Sequence, residues 1–551
     1  MNKLFKLGGT VALAAGIFLT ACGNSSSSQS GKNGKYAAKQ TLNWTESSML
    51  ATADLAKATD TLSFNTLLNT QEGLYRLDKN GVPQNALATK TVISNDGKTY
   101  TFDLRKNVKW SNGEEVTAKD FVYSWQRTVD PKTTSQDAFY LDQVKNAAEI
   151  SNGKKGGVDS LGIKALGKYK LQVQLTKPVS YFKKLLAWPL FFPVNKTAVD
   201  KFGSKYGTQA RYTVSNGPYK LTKWTGTNKK WTLVKNKTYW DRRNVHLKEI
   251  NELVTESTTT SYELYSGKKV DETLLSGQQV KNNTNNKDFV KRLPTATTRL
   301  DLNQNKVAAF KNLKIRKAIS LAINRKALTQ NVLQDGSVAL KGFVPAGMGG
   351  NNPKTKKAFD EESYVKAATA YNLTEAKKLL KQGYQETGTH ELKFTILTAD
   401  TDSSKQAVEY LQSALAKLPG VTVDVSTIPF VQLIAKQRTG NYDASVKTWQ
   451  SVFADPINFL DVYESDSSYN TAGWKNSSFD QLINEAENTY GNQPEKRWEK
   501  LIEAEKLLMD QQGTIPLYQV AKSQLLRSNV KNVVYNPAGV PYDWKTTYLA
   551  N

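Results

Sequence analysis

Along residues 95–130 the spacing of apolar positions switches from strand to helix. Thr99–Leu104 alternates polar and apolar residues behind Asn95-Asp96-Gly97, the pattern of a half-buried strand after a tight turn. Ser111-Asn112-Gly113 marks a second turn after Val108-Lys109-Trp110. From Thr117 the period is helical, with Phe121, Val122, Trp125 and Val129 on one apolar face. Thr117 is placed to cap that helix, and Asp120 puts a carboxylate near its N-terminus. Paired strands are predicted over residues 159–175 and a helix over 181–187, followed by the loop 188–193. Strands are predicted at 219–221, 231–234 and Tyr239-Trp240.

The second half of the chain alternates more regularly. Ile315, Ile319, Ala322, Ile323 and Leu328 have helical spacing within residues 310–335, and Gly336 is a stop signal. A helix over 374–382, a strand at Leu392–Ala399, a helix over 405–418 and a strand at Val421–Ile428 follow, the order of an α/β unit. Two helices, 479–490 and 495–510, precede a strand at 515–518.

Composition narrows the function classes. The 551 residues are 39% hydrophobic and include 11 Trp, 25 Tyr and 19 Phe, as expected of folded units with substantial cores. The formal charge is +25, but the lysines are spread along the chain. That spread describes a solvated basic surface or a partner such as an anionic polymer, rather than a nucleic-acid groove. With one cysteine, Cys22, no disulfide forms within the chain. Two histidines, His246 and His390, leave almost no material for a zinc site or a Ser-His-Asp triad. His246, in an Arg-Arg-Asn-Val-His-Leu-Lys run, reads as a packing residue. No cofactor or metal is expected.

The first residues read as an address. Lys3 and Lys6 precede the apolar run 7–19, which is too short to span a bilayer as a stable helix. Leu19-Thr20-Ala21-Cys22 resembles a lipobox, where bacterial lipoproteins are cleaved and acylated on the cysteine. Residues 1–21 are thus an expected signal peptide and Cys22 a lipidation site, and cleavage would remove two lysines to leave +23. Two or more acyl chains give stable anchoring. Residues 22–40 are expected to be a flexible tether; the 13 residues 23–35 have a random-coil reach of about 20 Å.

Several of these stretches together carry a resemblance. Glu72-Gly73-Leu74, the run GKTYTFDLRKNVKWSNGEEVTAKDFVYSWQR at 97–127, and Val214-Ser215-Asn216-Gly217-Pro218-Tyr219 resemble the oligopeptide/dipeptide class of solute-binding proteins. These are the extracytoplasmic receptors of ABC importers. Residues 56–74 are similar to the class's first ligand-side segment, although Ala53-Asp54-Leu55 stands where members commonly carry Leu-Asp-Pro. The resemblance spans residues 41–549. It implies an α/β, two-lobe periplasmic-binding-protein-like (type II) fold with an extra inserted subdomain in the first lobe. The first lobe is expected from 41–75, 212–300 and 516–551, the insertion from 76–211, and the second lobe from 301–515, with the chain crossing between lobes over 293–305.

The resemblance also implies a site. A peptide would pair as an extra strand with Thr59, Asp60 and Thr61 on one side and Thr448, Trp449 and Gln450 on the other. Trp449 also suits a core position. Many members read Trp, two residues, Asp, two residues, then an acid and Pro, and the first acid clamps the peptide's α-amino group. Here Asp455-Pro456 is present, but the clamp position holds Val452. A buried ammonium left without its partner costs about 2–5 kcal/mol, roughly 30- to several-thousand-fold in affinity. Three readings stay open. The ligand lacks a free amine there, another acid (Asp455 and Asp443 are nearest) has taken over, or end recognition is weaker.

The sequence therefore predicts a non-enzymatic, monomeric lipoprotein on a Gram-positive surface, or facing a Gram-negative periplasm. Its partners would be a peptide-like ligand, the importer's transmembrane subunits and, through the lipid, the membrane. No nucleic acid is expected. The alternative is an adhesin-like lipoprotein holding anionic wall polymers through its charge, with salt-sensitive binding. The absence of a Gly-x-Ser-x-Gly motif and the shortage of histidine and cysteine speak against a hydrolase, although carboxylate-pair chemistry stays open to a turnover assay.

Overall fold

The structure is a computed structural model and describes residues 35–154, 156–255, 257–352 and 354–551. Cys22 and the segment before it lie outside the described residues. No helix among the described residues is long and apolar enough to cross a membrane.

Two groups of sheets are built from interleaved stretches of chain. In the first, Thr41–Glu46 pairs in parallel with Glu249–Val254, which runs antiparallel to Lys230–Lys235, itself antiparallel to Tyr219–Thr222. Glu272–Leu274 and Phe289–Arg292 flank Lys522–Leu526 in a three-stranded sheet beside it. Trp44, Trp231 and Trp544 fill the core of this lobe. The second lobe is a six-stranded sheet in the order Val338–Ala339, Ile515–Gln519, Ala296–Leu302, Ala444–Gln450, Leu392–Ala399, Val421–Ile428. Ile315 and Ile319 on helix Leu313–Leu321, and Val408 and Leu411 on helix Asp402–Leu415, bury themselves against it.

The inserted unit has its own antiparallel sheet, in the order Ala88–Ile93, Thr99–Leu104, Lys170–Gln174, Ile163–Gly167. Helix Ala118–Val129 packs on it, starting where the sequence placed its cap. The Asp120 carboxylate accepts from Thr117 N at 2.7 Å and Thr117 Oγ1 at 2.9 Å. Trp125 is fully buried and donates through Nε1 to the Phe191 carbonyl at 2.9 Å.

The residues that carried the resemblance turn out to be joints. Asn216 Oδ1 accepts from Glu72 N at 2.9 Å, and Asn216 Nδ2 donates to the Glu72 carbonyl at 3.0 Å. A side chain at Gly217 would meet the Gln71 backbone at 2.6 Å, and one at Gly73 would meet the Phe192 ring at 2.1 Å. Arg76 then ties Glu72, at 2.9 Å, to Asp543 near the C-terminus, at 2.7 Å, with Tyr239 hydroxyl on the other Glu72 oxygen. All four residues are buried.

Several expectations are corrected. Residues 36–40 are not tether: Tyr36 bridges Ala550, Ala37 N donates to the Leu549 carbonyl at 2.8 Å, and Gln40 exchanges hydrogen bonds with Leu549. Tyr36 stacks on His246 with ring centroids 4.8 Å apart, so that histidine packs the N-terminal arm. The strand predicted at Tyr239-Trp240 is a turn, because Tyr239 is drawn to Glu72 and Arg105 lies over Trp240 at 3.7 Å. The helix predicted over 310–335 breaks after Leu321, because Asn324 Oδ1 accepts from Ala327 N and starts a new turn at Arg325. Ile515–Gln519, predicted to open the return to the first lobe, is a strand of the six-stranded sheet, so the chain crosses back at Val520-Ala521.

Candidate functional site

Strand Ala444–Gln450 leaves one side of its C-terminal half open. In an antiparallel ladder, alternate residues turn their N–H and C=O away from the partner strand. Ser451 N donates to the Thr295 carbonyl at 3.1 Å, and Gln450 stands opposite Ala296. Val446, Thr448 and Gln450 therefore face away from Ala296–Leu302. On that far side Leu392–Ala399 pairs only with Ala444 and Ser445, and Gln437 Nε2 takes the Val446 carbonyl at 3.2 Å. Among the described residues the outward backbone groups of Thr448 and Gln450, both exposed, have no partner and form an open edge. The edge ends at Val452, whose N–H donates to Asn458 Oδ1 at 3.0 Å. Trp449 spends its backbone in the ladder. Its indole donates to the Asn458 carbonyl at 2.6 Å and meets the exposed ring of Tyr469 edge-on at 4.9 Å.

Thr59 lies across from this edge. It is exposed and makes no hydrogen bond among the described residues. Asp60 is occupied as the N-cap of helix Thr61–Thr70, accepting from Ser63 N at 2.8 Å. Thr59 and Thr61 share a cavity of about 240 Å³ with Gln450, Ser451 and Val452. On its wall Gly539 N donates to the Ser451 carbonyl at 3.1 Å, and Thr295, the ladder partner of Ser451, donates through N to the Pro537 carbonyl at 2.8 Å. Gly539 has φ +72°, and a side chain there would strike the Val452 carbonyl at 2.5 Å. Neither Thr448 nor Trp449 lines this cavity; they extend the same strand away from it.

Neither acid suggested as a replacement clamp is free. Asp455 is buried and held at both oxygens by Arg497, at 2.9 and 3.0 Å, while Arg497 also bonds Glu487 at 2.7 Å. Asp443 accepts from Thr395 N at 3.1 Å and pairs with Lys306 at 3.1 Å.

Sequence reasoning missed a second cavity of about 200 Å³ next to the first, lined by Glu46, Asp60, Thr61, Glu272 and Lys522 among others. Glu252 lies behind it on the strand paired with Thr41–Glu46. Burial pushes Glu252 and Glu272 each up to about 8, and burial followed by the two neighbouring carboxyls raises Glu46. Among the described residues Glu252 has only the Trp231 indole to turn to, its cross-strand neighbour, whereas Glu272 accepts from Thr45 Oγ1 at 2.9 Å. Glu46 stands some 200 residues before Glu252 and Glu272, and only the folding of two neighbouring sheets brings the three together, so no local motif announces them. A carboxyl raised in the fold binds its proton more tightly folded than unfolded. Stability therefore falls as pH rises from the ordinary carboxyl range near 4.5 to about 8 and then levels. Glu252→Gln should leave stability unchanged near pH 4.5 and raise it at pH 8 by about 1–3 kcal/mol. Urea unfolding at the two pH values checks this, and equal stability at pH 8 would refute it.

Two lobes joined by several crossings around a cleft, with an open strand edge inside it, define a type II solute-binding fold. The chain belongs to the bacterial extracellular solute-binding proteins, family 5, whose middle region matches residues 82–471. It is 34% identical over 555 residues to a dipeptide-binding protein of Lactococcus lactis subsp. cremoris, covering 98% of each chain. It is 30% identical over 552 residues to the oligopeptide-binding protein OppA of Bacillus subtilis, covering 97% of each. Among solved structures, peptide-bound OppA of Listeria monocytogenes is 38% identical and superposes with a TM-score of 0.76 over 94% of this chain and 100% of that one.

Proposed function

We propose that this chain captures peptides in the cleft as an added strand and passes them to the transmembrane subunits of an ABC importer. The observation that carries this reading is the open strand edge at Thr448 and Gln450, whose Gln450 end shares one cavity with the unbonded Thr59. Main-chain pairing tolerates many side chains, because every peptide offers the same N–H and C=O groups. The names of the relatives, dipeptide- and oligopeptide-binding, support it. The crossings at residues 292–296 and 519–522 serve as hinge. A ligand touching both lobes favours the closed arrangement, which the importer reads. Cys22 carries the lipid that holds the protein at the outer membrane face.

Thr448→Pro tests the edge. Proline removes one outward N–H while leaving the ladder to Ala296–Leu302 intact, and edge strands accept it. Calorimetry with a pool of tetra- to octapeptides should show affinity weakened a few-fold to about tenfold at unchanged thermal stability. Unchanged affinity would remove this edge from the site.

A further inference from the structure

The cavity shared by Thr59, Gln450 and Val452 contains one carboxylate that the sequence did not single out. Asp137 reaches it from the inserted subdomain, in a loop after helix Ala118–Val129. We propose that Asp137 receives the ammonium group of the bound ligand, supplying from the inserted subdomain the negative charge absent at position 452. This rests on the reading of the cleft as a peptide site and adds to it the group that reads the ligand's charge.

Four observations converge on it. First, Asp137 is half-buried, yet among the described residues no ion pair or hydrogen bond engages its carboxylate. The two acids that sequence reasoning offered as replacements, and the adjacent Asp60, are committed: Asp455 to Arg497, Asp443 to Lys306 and Asp60 to its helix. Second, the lining is free of lysine and arginine, on a chain whose formal charge is +25, so a cation entering here meets no repulsion at contact. Third, the remaining walls suit an organic cation. Tyr140, Trp188 and Phe64 line the cavity; Tyr140 meets Trp188 edge-on at 4.6 Å, and Phe64 lies 4.9 Å from Trp188. Aromatic faces attract ammonium groups, and about 240 Å³ admits such a group with the carbon skeleton that carries it. Fourth, burial alone, with no partner to offset it, pushes the Asp137 carboxyl up to about 6. An ammonium ion at contact would reverse that shift. A lone carboxylate among aromatic rings is a poor metal site, which needs several oxygen or nitrogen ligands.

The ammonium has two sources in a peptide, the N-terminus and a lysine side chain, and the test separates them. Full-length wild type and Asp137→Asn are titrated calorimetrically with three pools of the same length: free N-termini without lysine, the same peptides N-acetylated, and N-acetylated peptides containing lysine. The expected result is that wild type prefers free N-termini over acetylated ones at least tenfold and that Asp137→Asn loses this preference. Both proteins should bind the acetylated, lysine-free pool alike, which also shows the variant to be folded. Recovery of affinity by the acetylated lysine pool, in wild type only, would assign the group to a side-chain ammonium instead of the N-terminus. A preference for amines that survives Asp137→Asn, or no preference in wild type, overturns the assignment and leaves the peptide reading standing. Silence of wild type towards every pool overturns both.

Discussion

Arg497→Met is expected to lower folding stability by about 3–5 kcal/mol, because it strands the buried Asp455 carboxylate and leaves Glu487 only the more distant Lys177. Asp455 and Glu487 are 6% and 7% exposed, and Arg497 is their shared cation. Burial pulls the guanidinium towards losing its proton, but the two carboxylates outweigh it and hold it charged. The triad is also where the inserted subdomain meets the second lobe. Tyr181 stacks on Phe453 at 4.6 Å and donates to Glu487 at 3.4 Å, Lys177 approaches Glu487 at 3.6 Å, and Lys184 donates to the Ala454 carbonyl. Replacing all three members together, Asp455→Asn, Glu487→Gln and Arg497→Met, should recover part of the loss, since no buried charge is then left without a partner, although the amides still cost some desolvation. Urea unfolding of the single and triple variants measures both effects. A single variant within 1 kcal/mol of wild type would show the triad to be solvated.

Arg76→Met should cost a similar amount, about 3–5 kcal/mol, with a different local signature. Arg76 holds Glu72 at the end of helix Thr61–Thr70 to Asp543 on the C-terminal segment, and also donates to the Leu68 carbonyl at 3.0 Å. The same segment is pinned by Asn65 Oδ1 on Tyr542 N at 3.0 Å and Asn69 Oδ1 on Trp544 N at 2.9 Å. Loss of Arg76 should speed amide exchange at Tyr542 and Trp544 well before Ile396 or Leu300 in the six-stranded sheet, because local stabilities differ across a fold. Uniform acceleration through both lobes would contradict this placement.

How far the sequence could be read follows from where each determinant lies. Leu392–Ala399 and Val421–Ile428 run as expected because alternation and turn signals are local, and the start of helix Ala118–Val129 was legible for the same reason. Lobe membership is not local. Ile515–Gln519 is apolar enough for either lobe, and only its pairing with Ala296–Leu302 decides. Tyr239-Trp240 looks like a strand because aromatics favour strands, yet a buried carboxylate 167 positions away holds Tyr239 in a turn. At the site, the resemblance directed attention to Thr59 and Thr448 to Gln450, and register explains why Thr448 and Gln450 differ from Trp449. Asp137 sits in a Ser-Gln-Asp-Ala-Phe-Tyr stretch without periodicity or motif, and its significance comes from standing across a cavity from Val452.

Calorimetric titration of the full-length chain with a mixed pool of tetra- to octapeptides, at low and at raised salt, tests the central claim most directly. Capture through main-chain pairing in the cleft predicts one saturable binding event per chain that largely persists as salt increases. No peptide heat at either salt, together with salt-sensitive retention on an anionic wall polymer, would contradict it and assign the basic surface rather than the cleft as the working part of the molecule.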